Sequence, residues 1–172
     1  MNKPAISLVA PDRPETASAF RLEDFLPYRL TLCAGHVSAA LAKIYGERHQ
    51  IGMPEWRVIV ILGECGQMTA KDVGLRGQMH KTKVSRAVAV LEKRRFLTRR
   101  ANAADLREAI LSLTPEGRAV YDDLAPRAMQ FSDRLIASID PFDREVFCRV
   151  LKQLMERAGG VADDIAKSGK PG

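Results

Sequence analysis

Residues 80–101 read His80-Lys81-Thr82-Lys83-Val84-Ser85-Arg86-Ala87-Val88-Ala89-Val90-Leu91-Glu92-Lys93-Arg94-Arg95-Phe96-Leu97-Thr98-Arg99-Arg100-Ala101. At 100° per residue, Val84, Ala87, Val88 and Leu91 gather on one side of a helix, and Thr82, Arg86, Ala89 and Lys93 on the other. From Leu97 the pattern changes to a short strand. A second strand follows at Ala109-Ile110-Leu111-Ser112-Leu113, after a polar turn. One helix face is apolar and must be buried; the other is small, polar and cationic. Short side chains let such a face approach a DNA groove, while Arg and Lys reach bases and phosphates.

Charge supports this reading. Arg76, Lys81, Lys83, Arg86, Lys93, Arg94, Arg95, Arg99, Arg100 and Arg107 stand against only Glu92 and Asp105 between residues 76 and 107. The whole chain of 172 residues carries +6, so the rest is net acidic and the positive field is local. A local basic field points to an anionic polymer. A solvated charged face would explain the helix equally well. The adjoining hairpin favours DNA, with Arg99 and Arg100 ending its first strand and Arg107 at the far end of its turn. Arg107 is placed to enter a minor groove, where width and A·T content are read. Asp105 can hold it there through a charge-assisted hydrogen bond.

Working outward, Thr69 is an N-cap for a short helix over Ala70–Leu75, and Gly77 marks a turn. Short helix, turn, helix and hairpin make a winged helix-turn-helix. Pro54 opens a helix over about 54–64. Leu30, Val37, Leu41, Ile44 and Tyr45 form a helical stripe over about 24–48. Thr114-Pro115 starts a helix to about Ser138, bent at Pro126, and Asp140-Pro141 starts a last helix ending near Gly159. The expected fold is mainly α with a small β-hairpin wing. It comprises a winged helix-turn-helix lobe at about 54–113 and a helical dimerisation lobe formed by helices at about 24–48 and 115–158. Residues 1–20, with Pro4, Pro11 and Pro14, are expected to be a flexible N-terminal arm, and 159–172 a flexible tail.

Other classes find little support. Cys33, Cys65 and Cys148 are widely spaced and form no CxxC, and His36, His49 and His80 are scattered. No phosphate-binding Gly loop, nucleophile elbow or metal-ligand cluster occurs, so neither an enzyme nor a bound cofactor is expected. Apolar runs such as Val58–Leu62 fall far short of the ~20 residues that span a bilayer, so no membrane partner is expected. No basic-then-apolar leader opens the chain, and a reducing, cytoplasmic setting fits the cysteines.

Residues 25–157 resemble a MarR-type transcriptional regulator. The resemblance rests on Pro54-Glu55-Trp56-Arg57-Val58, on Thr69-Ala70-Lys71-Asp72-Val73, and on Val84 through Arg94. Its most specific part is Asp105-Leu106-Arg107 followed by Leu111-Ser112-Leu113-Thr114-Pro115-Glu116-Gly117-Arg118. It implies a homodimer that sets two recognition helices about one DNA turn apart on a pseudo-palindromic operator. The first helix and the last two would form the dimer interface. Phe25, Leu26 and Tyr28 at one end, and Phe131, Leu135, Ile139, Phe142, Phe147, Val150, Leu151 and Leu154 at the other, supply apolar surface for it, against which stands their reading as an intramolecular core.

The resemblance also implies a small effector, an aromatic carboxylate or its coenzyme A thioester, bound where the dimer helices meet the DNA-binding lobe. Arg29, His36, Trp56 and Arg57 are the candidates, with Arg for an anionic group and Trp56 for an aromatic wall. Beside this stand the structural readings: Trp56 in the core and His36 as a satisfied helix histidine. Cys33 offers a redox-sensing alternative, against which stands its reading as a small buried apolar residue. Within the DNA-binding set, His80, Lys81, Thr82, Lys83, Ser85 and Arg86 are expected at base edges and Lys93, Arg94, Arg95, Arg99 and Arg100 at phosphates. A non-specific architectural DNA-binding protein is the remaining alternative to a sequence-specific repressor.

Overall fold

The computed structural model describes residues 20–102 and 108–168. The chain divides into two compact units, residues 1–39 and 40–172. In the first, a 3-10 turn at Leu22–Asp24 leads into helix α1 (Leu26–His49), which continues into the second unit. The Phe20 and Phe25 rings lie 5.2 Å apart, and Phe25, Leu26, Leu30 and Leu32 are exposed.

The second unit continues with α2 (Met53–Cys65), β1 (Gln67–Thr69), α3 (Ala70–Arg76), α4 (Lys81–Lys93), β2 (Leu97–Ala101), β3 (Ala109–Leu113), α5 (Pro115–Ile136) and α6 (Pro141–Ser168). The strands form one antiparallel sheet in the order β1-β3-β2. Sequence periodicity predicts only the β2–β3 hairpin. The structure adds β1, whose Gln67, Met68 and Thr69 pair with Ser112, Leu111 and Ile110. Three residues are too few to show alternation. Gly66 makes the strand possible by ending α2 at φ 81°, in the left-handed region.

The core is built where the apolar stripes meet. Val58, Ile59 and Leu62 of α2, Val73 of α3, and Val84, Ala87, Val88 and Leu91 of α4 are buried. Leu97, Leu111, Val120 and Leu124 join them from the sheet and α5, and Tyr45, Ile51 and Trp56 close one end. Each large apolar side chain contributes about 1.5–3 kcal/mol by leaving water. Among the described residues this core takes nothing from α6, whose Phe142, Phe147, Val150 and Met155 stay exposed.

One expectation needs correction. α6 does not end near Gly159; it passes through Gly159 and Gly160 and reaches Ser168, where Ser168 Oγ donates to Asp164 O at 2.9 Å. Interior glycines cost about 1 kcal/mol each, and good helix formers on either side absorb that cost, so 159–168 is helix and not tail. α5 runs unbroken through Pro126. The expected arm up to residue 19, the residues 169–172, and the turn residues 103–107 with Asp105 and Arg107 lie outside the described residues.

A tight corner follows α4. Arg95 N–H donates to Glu92 O and Phe96 N–H to Leu91 O, both at 2.9 Å, and Arg95 adopts φ 60°. This is a Schellman ending built on an arginine where glycine would be unstrained. Thr114 then joins the corner to α5: its hydroxyl donates to Arg95 O at 2.7 Å and accepts from Gly117 N–H at 3.0 Å. Gly117 is required by contact, because a Cβ there would sit 1.8 Å from Phe96 O.

We expect Gly117→Ala to destabilise the protein by about 3 kcal/mol, as backbone must shift to admit the methyl. Gly159→Ala has nothing within 4 Å of its new Cβ and is expected to gain about 0.5–1 kcal/mol. Urea midpoints check both; equal, small effects would contradict the close approach. Arg95→Gly is expected to raise stability by about 1 kcal/mol by removing the left-handed strain, read as a higher melting temperature.

Candidate nucleic-acid interface

The outer face of α4 is laid bare by the burial of its inner face. With Val84, Ala87, Val88 and Leu91 buried, Lys81, Thr82, Lys83, Ser85, Arg86 and Lys93 are all exposed. His80 is the N-cap, and its Nδ1 accepts from Thr82 N–H at 3.3 Å. That ring therefore serves the helix end first. α3 is capped by Thr69, which accepts from Asp72 N–H at 3.1 Å and donates to Asp72 Oδ2 at 2.8 Å. The intervening turn is tight, with Met79 N–H donating to Gly74 O at 2.9 Å.

Between α3, α4 and the wing runs a groove of about 910 Å³, with Lys71, Lys81, Ser85 and Arg99 among its polar lining residues. Arg99 faces α4, where its Nε meets Glu92 Oε2 at 3.0 Å. Arg100 is the next residue along the strand and points to the opposite face of the wing. The two arginines that sequence places together as phosphate contacts thus serve different surfaces. Arg76 lies 3.5 Å from Glu64.

Arg94 departs from expectation. Its Nη1 donates to His49 O at 2.6 Å and to Gln50 O at 3.1 Å, and its guanidinium lies 4.6 Å above the Phe96 ring centroid. The side chain is committed to the protein, and its assignment as a phosphate contact gives way to a structural one. Arg95, one residue on, is exposed.

The ligand candidates fall into two groups. Trp56 is buried, with its ring stacked 6.0 Å from Tyr45, so the core reading of this residue holds. It still edges a cleft of about 340 Å³ together with Arg57, Val60, Ile61, Arg76 and Gln78. Arg57 is exposed and donates to Gly77 O at 3.2 Å. Arg29 and His36 are exposed in the first unit, seven residues apart and so on one face of α1. Cys33 is exposed too, which corrects its reading as a small buried residue.

Two features escape sequence reading. Tyr45 is buried with its hydroxyl unpaired, and burial pushes its pKa up. Asp123 on α5 accepts from Arg48 Nε at 2.9 Å and Nη2 at 3.3 Å, and from Arg127 Nε at 3.1 Å, and pairs with His49 Nε2 at 2.9 Å. The Arg48 hydrogen bonds first, then those of His49 and Arg127, hold its carboxyl far below the usual range. The Asp123–Arg127 spacing of four is legible in sequence; the contacts to Arg48 and His49 are not. Among the described residues no His, Cys, Asp and Glu cluster could hold a metal ion, and no helix is long and apolar enough to cross a membrane.

The known proteins to which this chain is similar share its arrangement. A sequence model of the MarR family matches residues 49–108, from the end of α1 past β2. The HTH-type transcriptional regulator YwoH of Bacillus subtilis (strain 168) is 25% identical over 103 residues, covering 60% of this chain and 74% of that protein. A MarR family regulator from Silicibacter pomeroyi superposes with TM-score 0.65 at 26% identity, over 78% of this chain and 90% of that one. Bordetella bronchiseptica BpsR, whose DNA binding is regulated by 6-hydroxynicotinic acid, shares the fold at TM-score 0.62 and 19% identity, over 74% of this chain and 98% of that one. With a winged helix-turn-helix whose helix α4 turns a cationic face outward, and with these relatives, the chain is similar to the MarR family of helix-turn-helix transcriptional regulators, whose sequence model spans its residues 49–108.

Proposed function

We propose that the protein is a sequence-specific repressor that binds a pseudo-palindromic operator as a homodimer and is released by a small aromatic anion. The observation that carries this reading is the outer face of α4, where Lys81, Thr82, Lys83, Ser85, Arg86 and Lys93 are exposed together above a fully buried stripe. Thr82, Ser85 and Arg86 read bases; Lys93, Arg95 and Arg100 hold phosphates. The uncovered apolar side chains of α6, and separately those at the start of α1, are the surface a second copy would bury. For the effector, Arg57 beside the edge of Trp56 offers a guanidinium and an aromatic wall in one cleft. The regulation of BpsR by 6-hydroxynicotinic acid suggests the chemical class. An effector that favours another spacing of the recognition helices lowers DNA affinity by population shift.

The test uses the duplex that wild-type protein selects from a random pool, set against a random duplex of equal length at equal salt. Tighter binding to the selected duplex is expected; equal binding would identify a non-specific architectural protein instead. Arg86→Ala is expected to cost about 1–3 kcal/mol on the selected duplex and to relax its sequence preference. Lys93→Ala should weaken both duplexes alike and lower the salt slope by about 1. In a thermal-shift series, 6-hydroxynicotinate or another aromatic carboxylate should raise the melting temperature and compete with DNA. Arg57→Ala should abolish that shift. A release by peroxide that Cys33→Ser removes would replace the ligand reading with redox sensing.

A further inference from the structure

We infer that Arg94 is a positioning residue which fixes the angle of the recognition helix against the end of α1, and so sets sequence readout and not general DNA affinity. The inference rests on the regulatory reading above, because it concerns how operator is told from other DNA.

Arg94 is the C-cap residue of α4. Its two acceptors, His49 O and Gln50 O, are the carbonyls at the end of α1. Helix ends leave their last carbonyls without intrahelical donors and carry partial negative charge, so a guanidinium here satisfies acceptors and complements the dipole. Gln50 turns the chain away at φ 50°, which presents both carbonyls to one donor. Phe96 covers the guanidinium face at 4.6 Å, and the residue is half-buried.

The same corner is pinned from its other side. Asp123 of α5 holds His49 Nε2 and Arg48 Nε, each at 2.9 Å, and is itself held by Arg127. The end of α1 is thus gripped through its side chains by α5 and through its backbone by α4. Helix α4 has 13 residues and is about 20 Å long, so a tilt of about 5° at its Arg94 end moves the other end by nearly 2 Å. Hydrogen bonds to base edges do not survive such a shift. Attraction to phosphates, which depends weakly on position, does.

The experiment measures binding of full-length variants to the selected duplex and to the random duplex across a salt series. Arg94→Ala is expected to weaken the selected duplex at least tenfold, to leave the random duplex within about twofold, and to keep the salt slope unchanged. Asp123→Asn should show the same pattern, although it removes a negative charge and simple electrostatics would tighten DNA binding. A parallel loss on both duplexes for Arg94→Ala, with the slope falling by about 0.9, makes Arg94 a phosphate contact and overturns the proposal. Unchanged binding to both duplexes overturns it too. Should Arg94→Ala fail to fold, Arg94→Lys keeps the charge but not the planar stack on Phe96. It is expected to weaken the selected duplex alone, and full retention of affinity contradicts the inference. If wild type itself shows no preference for the selected duplex, the repressor reading fails with it. A wild-type preference that Arg94→Ala preserves sinks only the positioning role.

Discussion

Burial of Val84, Ala87, Val88 and Leu91 is the constraint on which the cationic outer face of α4 depends. These four side chains are close to fully inaccessible and pack against α2, α3 and the wing. Because a helix has two sides, hiding this stripe leaves Lys81, Thr82, Lys83, Arg86 and Lys93 with nowhere to go but outward. The cationic face costs the fold little, since its charges stay hydrated. The free energy of holding the helix in place comes from its apolar side.

Burial fixes which face is outward, but not the angle at which it is presented. That is the task of the corner after α4, where Phe96 is the common point. Its carbonyl lies where a Cβ on residue 117 would have to go, and accepts from Thr114 N–H at 3.1 Å. Its ring carries Arg94. The Thr114-Pro115-Glu116-Gly117 sequence is therefore a joint: an N-cap that starts α5, a hydroxyl that satisfies Arg95 O, and a glycine that allows contact. Residues that look like a helix start in sequence also determine how the wing and the recognition helix meet α5.

The order of elements was legible because each had a local signal. Thr69 and Thr114 act as N-caps as their positions suggested, and the α4 periodicity sorts buried from exposed residues correctly. What escaped depends on pairing across the chain. β1 is defined by its partners in β3, which no three-residue pattern encodes. Arg94 is one of four arginines between 93 and 100, and only the fold reveals that it turns inward to carbonyls 44 and 45 residues away. Strand alternation, a local rule, would have separated Arg99 from Arg100. α6 outran its expected end because two consecutive glycines weaken a helix without breaking it. The effector candidates remain the least legible part, since Trp56 serves the core while edging the cleft, and no spacing in sequence distinguishes the two roles.

The exposed face of α4 is the surface proposed to meet DNA. Lysine acetylation rates, measured residue by residue by mass spectrometry with and without the selected duplex, test it most directly. Lys81, Lys83 and Lys93 should be protected several-fold by DNA, while Lys152 and Lys167 on α6 react at the same rate in both states. Protection of the α6 lysines with no change at Lys81, Lys83 and Lys93 would contradict the account.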